Sequence, residues 1–228
     1  MIVSNIHFVI VAGGSGKRIQ SSVPKQFVEI YGAPIWIHTY RRLKNAVPNA
    51  EFTIVVHNDN TALWNEQKSK FLQDQIINLA DSGPERFHSV KNGLRFVKPN
   101  QIVAIHDAVR PFVSNAVIEK GIHVADRYGA AVPAIALKES IRQADGALSK
   151  SLDRSQFRII QTPQFFRADI IIDAYRQSYH SSFTDDATVV EAASKSIRLI
   201  EGNTENVKIT EDIDLIICEA LLKRMSHS

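Results

Sequence analysis

Residues 7–11, 52–56 and 102–106 form short runs that are nearly continuous in apolar residues. A strand with one face in water alternates polar and apolar residues; one that does not alternate has both faces covered, which points to a sheet lying between layers of helix. Residues 35–43, 62–72 and 86–96 separate those runs and carry helical patterns. Strand and helix in alternation imply an α/β chain with a mostly parallel sheet and right-handed crossovers. The 228 residues lie within the range of one α/β domain, and no linker or repeat divides them, so residues 1–228 read as a single domain.

Further along, Ser114 is placed to cap a helix whose Val117, Ile118, Ile122 and Ala125 form one apolar stripe, with Gly129 just past its end. Residues 130–136 read as another strand. The last helix is expected to begin near Thr210, with acids in its first turn, Lys223 and Arg224 in its last, and Ile213, Ile216, Ile217, Ala220 and Leu221 docked on the core. Residues 137–157 break the alternation. They are polar, contain the turn pair Asp145 and Gly146, and read as a β-hairpin arm projecting from the domain, or else as a long surface loop.

Composition excludes several classes. With 27 Lys and Arg against 24 Asp and Glu, the net charge of +3 is too small to mark a nucleic-acid binder. No run approaches the ~18 apolar residues of a membrane span, and the first residues lack the pattern of a signal peptide. The lone Cys218, in an apolar helical setting, reads as a packed thiol and suits a reducing cytoplasm. No His and Cys cluster suggests zinc.

In an open parallel sheet, ligands bind beyond the carboxyl ends of the strands, which directs attention to the loops at residues 12–25 and 107–111. In the first, Gly13, Gly14 and Gly16 let backbone N–H groups approach phosphate oxygens, and Lys17, Arg18 and Lys25 add cations. The loop is neither of the common phosphate motifs. Val11 and Arg18 stand where a Walker A loop needs glycine and Ser or Thr, and Ile19 replaces the third small residue of a dinucleotide fingerprint. Asp107, at a strand end, is placed to meet a ribose, an acceptor or a hydrated metal, or simply to pair with Arg110; His106 before it reads as packed or hydrogen-bonded.

The segment "AGGSGKR" at 12–18, with "PKQF" at 24–27, resembles the signature of nucleotidyltransferases that attach a nucleoside monophosphate to a sugar or polyol phosphate. More narrowly, it is similar to the polyol-phosphate cytidylyltransferases acting on 2-C-methyl-D-erythritol 4-phosphate, with the ribitol-5-phosphate enzymes as close relatives. The likeness continues in the family's order through "GPERFHSVKNGL", "HDAVRPF", "DRSQFRIIQTPQFF", "FTDDATVVEA" and "ENVKITEDIDL". It implies a Rossmann-like three-layer sandwich of the nucleotide-diphospho-sugar transferase type.

By the same resemblance, Ala12, Gly13, Gly14, Ser15 and Gly16 would wrap the cytosine nucleotide, and Gly83, Ser89 and Asp107 would help bind it. Arg18, Lys25 and Lys208 would stabilise the transition state. Asp107, Ser140, Arg154, Thr162 and Thr184 would hold the acceptor. Ser140 stands where Thr is usual, and Ser82 and Pro84 depart from the commoner Gly and Asp. Read without the family, Thr184 is a helix N-cap.

The resemblance further implies CTP and a polyol phosphate as substrates, Mg²⁺ held mainly by the triphosphate, and a homodimer in which the arm crosses into the neighbouring subunit. The expected reaction is CMP transfer from CTP to 2-C-methyl-D-erythritol 4-phosphate in non-mevalonate isoprenoid synthesis. Ribitol 5-phosphate as acceptor, an NAD-binding Rossmann module and a basic RNA-binding domain are the competing readings. Asp153 and Arg154 with "TDDA" at 184–187 favour the first acceptor.

Overall fold

The computed structural model describes residues 5–14, 21 and 23–226. Strand β1 (Ile6–Ala12) is followed by a 3-10 turn (Lys25–Phe27), the small hairpin β2 (Glu29–Ile30) and β3 (Ala33–Pro34), and helix α1 (Ile35–Ala46). Then come β4 (Glu51–Val56), α2 (Thr61–Phe71), β5 (Asn78–Asp81), α3 (Arg86–Gly93), β6 (Ile102–Asp107), α4 (Asn115–Tyr128) and β7 (Ala130–Ala136). The second half adds β8 (Ile141–Asp145), β9 (Leu148–Leu152), β10 (Arg158–Ile160), β11 (Gln164–Arg167), α5 (Ala168–Ala174), α6 (Asp186–Ala192), β12 (Arg198–Glu201) and α7 (Asp212–Ser226).

β1 lies between β4 and β6, parallel to both, and β5 extends the parallel set beyond β4. β11 runs antiparallel to β6 and β7, and β12 pairs in parallel with β7. The apolar runs are explained by where alternate residues go. Phe8 and Ile10 join Trp36, Tyr40 and Phe52 in one core layer, while Val9 joins Phe87, Val90, Ile171 and Val189 in the other. Each central strand thus needs apolar side chains on both of its faces. α4 comes close to the sheet through Gly121, where a Cβ would sit 2.2 Å from the Phe165 ring.

Several sequence expectations have direct counterparts. Ser114 accepts a hydrogen bond from Val117 N as the cap of α4, and Gly129 ends that helix at φ +95°. β8 and β9 pair as an exposed antiparallel hairpin, turned at Gly146 with φ +57°, so a β-hairpin rather than an irregular loop lies within residues 137–157. Cys218 is buried, and burial pushes its thiol up to about 12. Among the described residues, no helix is long and apolar enough to cross a membrane.

Two expectations are corrected. α7 docks through Leu215, Cys218, Leu221 and Leu222 against Ile30, Ile35, Val109 and Phe112, whereas Ile213, Ile216 and Ile217 are 57%, 65% and 41% exposed and Ala220 is exposed. The helix is apolar on two stripes, each at three- and four-residue spacing and meeting at Leu221, which docks as expected, so periodicity alone selected the wrong stripe for the other four. The N-cap of α6 is Asp185, not Thr184. The Asp185 carboxylate accepts from Thr188 N, Thr188 Oγ1 accepts from Asp185 N, and the exposed Thr184 precedes this capping box.

Gly121→Ala would press a methyl group into the fully buried Phe165 ring. It is expected to lower stability by about 1–3 kcal/mol, seen as a reduced urea midpoint at unchanged m-value. His7, fully buried on β1, hydrogen-bonds through Nε2 to Thr53 Oγ1 at 2.8 Å, and burial lowers its pKa to about 4 against the pull of Glu51. The unfolded chain therefore takes up this proton first on acidification. The contribution is complete above about pH 6.5 and is lost as pH falls towards 4, up to about 3 kcal/mol. Urea unfolding at pH 7.5 and 4.5 should show that loss, and His7→Gln should reduce the difference.

Candidate functional site

The ends of β1, β4, β5 and β6 open into one cleft of about 800 Å³, whose lining includes Gly13, Gly14, Lys25, Gly83, Asp107 and Lys208. Ala12, Ser89 and Arg86 line it as well. Ser15, Gly16, Lys17 and Arg18 lie outside the described residues.

Gln26 joins the first glycines to the turn that carries Lys25. It is 2% exposed, and its Nε2 donates to Ala12 O at 2.6 Å and to Gly14 O at 3.0 Å, bracketing Gly13. Phe27 beside it is buried in the core, so the half-buried Lys25 sits on an anchored turn next to the glycines. Gly13 is required by a close approach: a Cβ there would lie 2.5 Å from Ser82 Cβ. The exits of β1 and β5 are pressed together at this point, and the buried Ser82 hydroxyl has no hydrogen-bond partner among the described residues. Ser89 shapes the second loop, its Oγ accepting from Gly83 N at 3.0 Å and donating to Glu85 O at 3.2 Å.

Asp107 ends β6 with its side chain only 10% exposed. Lys208 Nζ lies 3.0 Å from Oδ2, Arg110 Nε 3.2 Å from Oδ2, and Arg86 Nε 3.9 Å from Oδ1. Burial alone would raise this carboxyl; the three cations outweigh it and hold the group well below the usual carboxylate range. Arg110 also donates through Nη1 to Asn206 O at 2.8 Å, and Ile209 N donates to Val109 O at 3.0 Å. The chain on either side of Lys208 is thereby tied to the turn after β6.

Thr162 supports Asp107 from below the cleft. Its hydroxyl accepts from Asp107 N at 3.0 Å, which leaves the hydroxyl proton for His106 Nδ1, also at 3.0 Å. His106 must then carry its proton on Nε2, which donates to Arg110 O at 3.0 Å. Burial lowers the His106 pKa to about 4, in keeping with a neutral, structural imidazole. The sequence placed Thr162 among residues gripping an acceptor; the structure gives its hydroxyl to Asp107 and His106.

Ser140 and Arg154 lie at the base of the arm, both exposed, with Arg154 Nη1 donating to Lys138 O. Neither they nor Thr184 belong to the cleft lining formed by this chain. Sequence reasoning passed over Arg86 and Asp186. Arg86 donates through Nη1 and Nη2 to the two oxygens of Asp186 at 2.9 and 2.7 Å, and Asp186, fully buried, also accepts from Tyr175 Oη at 2.6 Å. Both residues stand inside the "GPERF" and "TDDA" segments, but only the fold brings them together. Among the described residues, no group of three His, Cys, Asp or Glu could hold a metal ion.

A cleft with glycine-edged backbone, Lys25, Lys208 and a cation-bound carboxylate at strand ends suits a polyanionic nucleotide. Comparison with known proteins agrees. The family model for 2-C-methyl-D-erythritol 4-phosphate cytidylyltransferase matches residues 6–224. A protein of that name from Bacteroides fragilis is 40% identical over 214 residues, covering 94% of this chain and 98% of its own. One from Phocaeicola vulgatus is 38% identical over 218 residues, covering 96% of this chain and all of its own. The crystal structure of 2-C-methyl-D-erythritol 4-phosphate cytidylyltransferase from Thermus thermophilus superimposes with a TM-score of 0.76 at 27% identity, over 98% of this chain and 100% of that one. The 4-diphosphocytidyl-2C-methyl-D-erythritol synthase from Anaerococcus prevotii does so with a TM-score of 0.80 at 25% identity, over 96% of each chain. The chain belongs to the 2-C-methyl-D-erythritol 4-phosphate cytidylyltransferase family, and its sheet is that of the nucleotide-diphospho-sugar transferase fold.

Proposed function

We propose that the protein transfers CMP from CTP to 2-C-methyl-D-erythritol 4-phosphate, giving 4-diphosphocytidyl-2-C-methyl-D-erythritol and pyrophosphate, in the cytoplasmic synthesis of isoprenoids. The observation that carries this reading is the cleft at the ends of β1, β5 and β6, where Lys25, Lys208 and Asp107 meet the glycine-edged backbone, in a chain matched by the family from residue 6 to 224.

In the reaction, a phosphate oxygen of the acceptor attacks the α-phosphorus in line. The new P–O bond forms as the bond to the β-phosphate breaks, and its electron pair leaves with pyrophosphate. A phosphate dianion needs no general base, so the chain's task is positioning and neutralisation of charge. Backbone N–H groups of Gly13 and Gly14 face the nucleotide, Lys25 and Lys208 meet the charge on the transferring phosphoryl group, and Arg18 is assigned to the same task by the family resemblance. Asp107 and Ser89, with Gly83, serve the nucleotide, and Asp107 also faces the acceptor.

Mg²⁺ would be held mainly by the triphosphate of CTP. The donor set fits a metal carried by the triphosphate rather than one lodged in the protein, because Asp107 is already matched by three cations and, among the described residues, no carboxylate cluster surrounds it. When bound, the ion supplies further charge neutralisation on the phosphates.

The arm supports a homodimer in which each acceptor site draws on two chains. Ser140 and Arg154 lie outside the cleft of their own chain, and Phe157, Ile159 and Ile160 beside them are 42%, 49% and 37% exposed, an apolar surface suited to a second copy. Thr184 would join them at the acceptor.

Incubation with CTP, Mg²⁺ and either polyol phosphate tests the reaction. Pyrophosphate release should be faster with 2-C-methyl-D-erythritol 4-phosphate, and faster turnover of ribitol 5-phosphate would reassign the acceptor. Lys25→Ala should lower kcat by roughly 10² or more while CTP affinity changes little; unchanged turnover would remove Lys25 from its role. Arm exchange has its own test. Lys25→Ala and Arg154→Ala proteins, each inactive, should regain about a quarter of wild-type activity when subunits are mixed, since half the dimers are mixed and each contains one intact site. No recovery would place the arm's residues in the site of their own chain.

A further inference from the structure

The two oxygens of Asp107 are served by different cations, and those cations are not equally fixed. Lys208 and Arg110 share Oδ2, and Arg86 faces Oδ1. Arg110 is tied to Asn206 O, and Arg86 is gripped by both oxygens of Asp186, which Tyr175 Oη bonds in turn. Lys208 is a compact charge at the end of a flexible stem, 41% exposed, on the wall of the cleft.

A triphosphate entering the cleft offers Lys208 more charge than Asp107 does. The carboxylate then loses one of its cations while remaining nearly buried, a state that is costly without compensation. We propose that Arg86 is a positioning residue, a strut from Asp186 that holds the Asp107 carboxylate in place when the nucleotide draws Lys208 onto its phosphates. The inference rests on the cytidylyl-transfer reading.

Only an arginine suits the position. Its two Nη groups satisfy the fully buried Asp186, and the Nε edge remains turned to Asp107. A lysine carries one point charge; it would stay with the closer, fully buried Asp186 and abandon Asp107. Arg86→Lys thus separates the anchoring of α6 from the support of Asp107.

A double-mutant cycle tests the strut. Arg86→Lys is expected to lower kcat roughly 10- to 100-fold with KM for CTP within about 3-fold, as loss of alignment at the reacting centre would. In an Asp107→Asn background the same change should cost less than about 2-fold, because the strut has nothing left to hold. Equal losses in both backgrounds, or an unchanged kcat, would overturn the proposal and leave Arg86 as a purely structural partner of Asp186. Should Arg86→Lys fail to fold, Asp186→Asn, which weakens the anchor with an isosteric side chain, should show a smaller loss that again vanishes in the Asp107→Asn background; a loss that persists there overturns the strut. Crystal structures of wild type and Arg86→Lys with CTP decide the point without turnover. The Asp107 carboxylate should leave its wild-type position in the variant, and an unmoved carboxylate refutes the strut. A wild-type protein that forms no cytidylyl product would fail the reaction instead, and the crystallographic comparison would still decide Arg86.

Discussion

The two-sided burial of β1 governs the rest of the structure. Phe8 and Ile10 enter one helical layer and Val9 the other, so the strand can move towards neither face without opening a cavity. Its parallel neighbours β4 and β6 are held in register along the whole length, from His7 opposite Glu51 and Val103 to Val11 opposite Val55 and Asp107. A parallel sheet puts the strand ends, and the loops that follow them, on one side. Glycines after β1, the Ser82–Glu85 loop after β5 and Asp107 at the end of β6 therefore converge without any device beyond the sheet itself.

What was legible in the sequence follows from range. The central strands and α1 to α4 are set by patterns within ten or fifteen residues, and the structure has them close to where those patterns stand. Ser114 and Gly129 were readable for the same reason, since capping is local chemistry. The two errors came where local chemistry was degenerate. Thr184 and Asp185 are adjacent residues of the capping type, and only the observed Asp185–Thr188 pair selects between them. α7 carries two apolar stripes, and which one is covered depends on Ile30, Ile35, Val109 and Phe112, all distant in the chain.

The site divides in the same way. Lys25, Lys208, Gly83 and Asp107 were marked by motif, and the fold assembles them in one cleft. Arg86 with Asp186 was not legible, because the partners are 100 residues apart and the meaning of each depends on the other. Thr162 shows a subtler limit. A hydroxyl in a site motif reads as a ligand contact, and the fold also engages it in two hydrogen bonds, one from the Asp107 amide and one to His106. Sequence marks where a hydroxyl belongs more readily than which neighbour uses it.

A carboxylate among cations looks out of place in a cleft meant for a triphosphate, but electrostatics favours it. Lys208, Arg110 and Arg86 brought close together without Asp107 would repel one another, and the mobile Lys208 would turn out to water. Asp107 gathers them before any ligand arrives, so Arg110 and Arg86 need little reorganisation when the nucleotide draws Lys208 onto its phosphates. The accompanying cost is that Asp107 must remain ionised with little access to water, which explains why two of its three cations, Arg110 and Arg86, are anchored at Asn206 and Asp186. With Asp186 included, three cations face two carboxylates, leaving a single net positive charge. Lys25 adds another from the opposite motif, and the anion is attracted to a cluster whose own repulsion has already been offset.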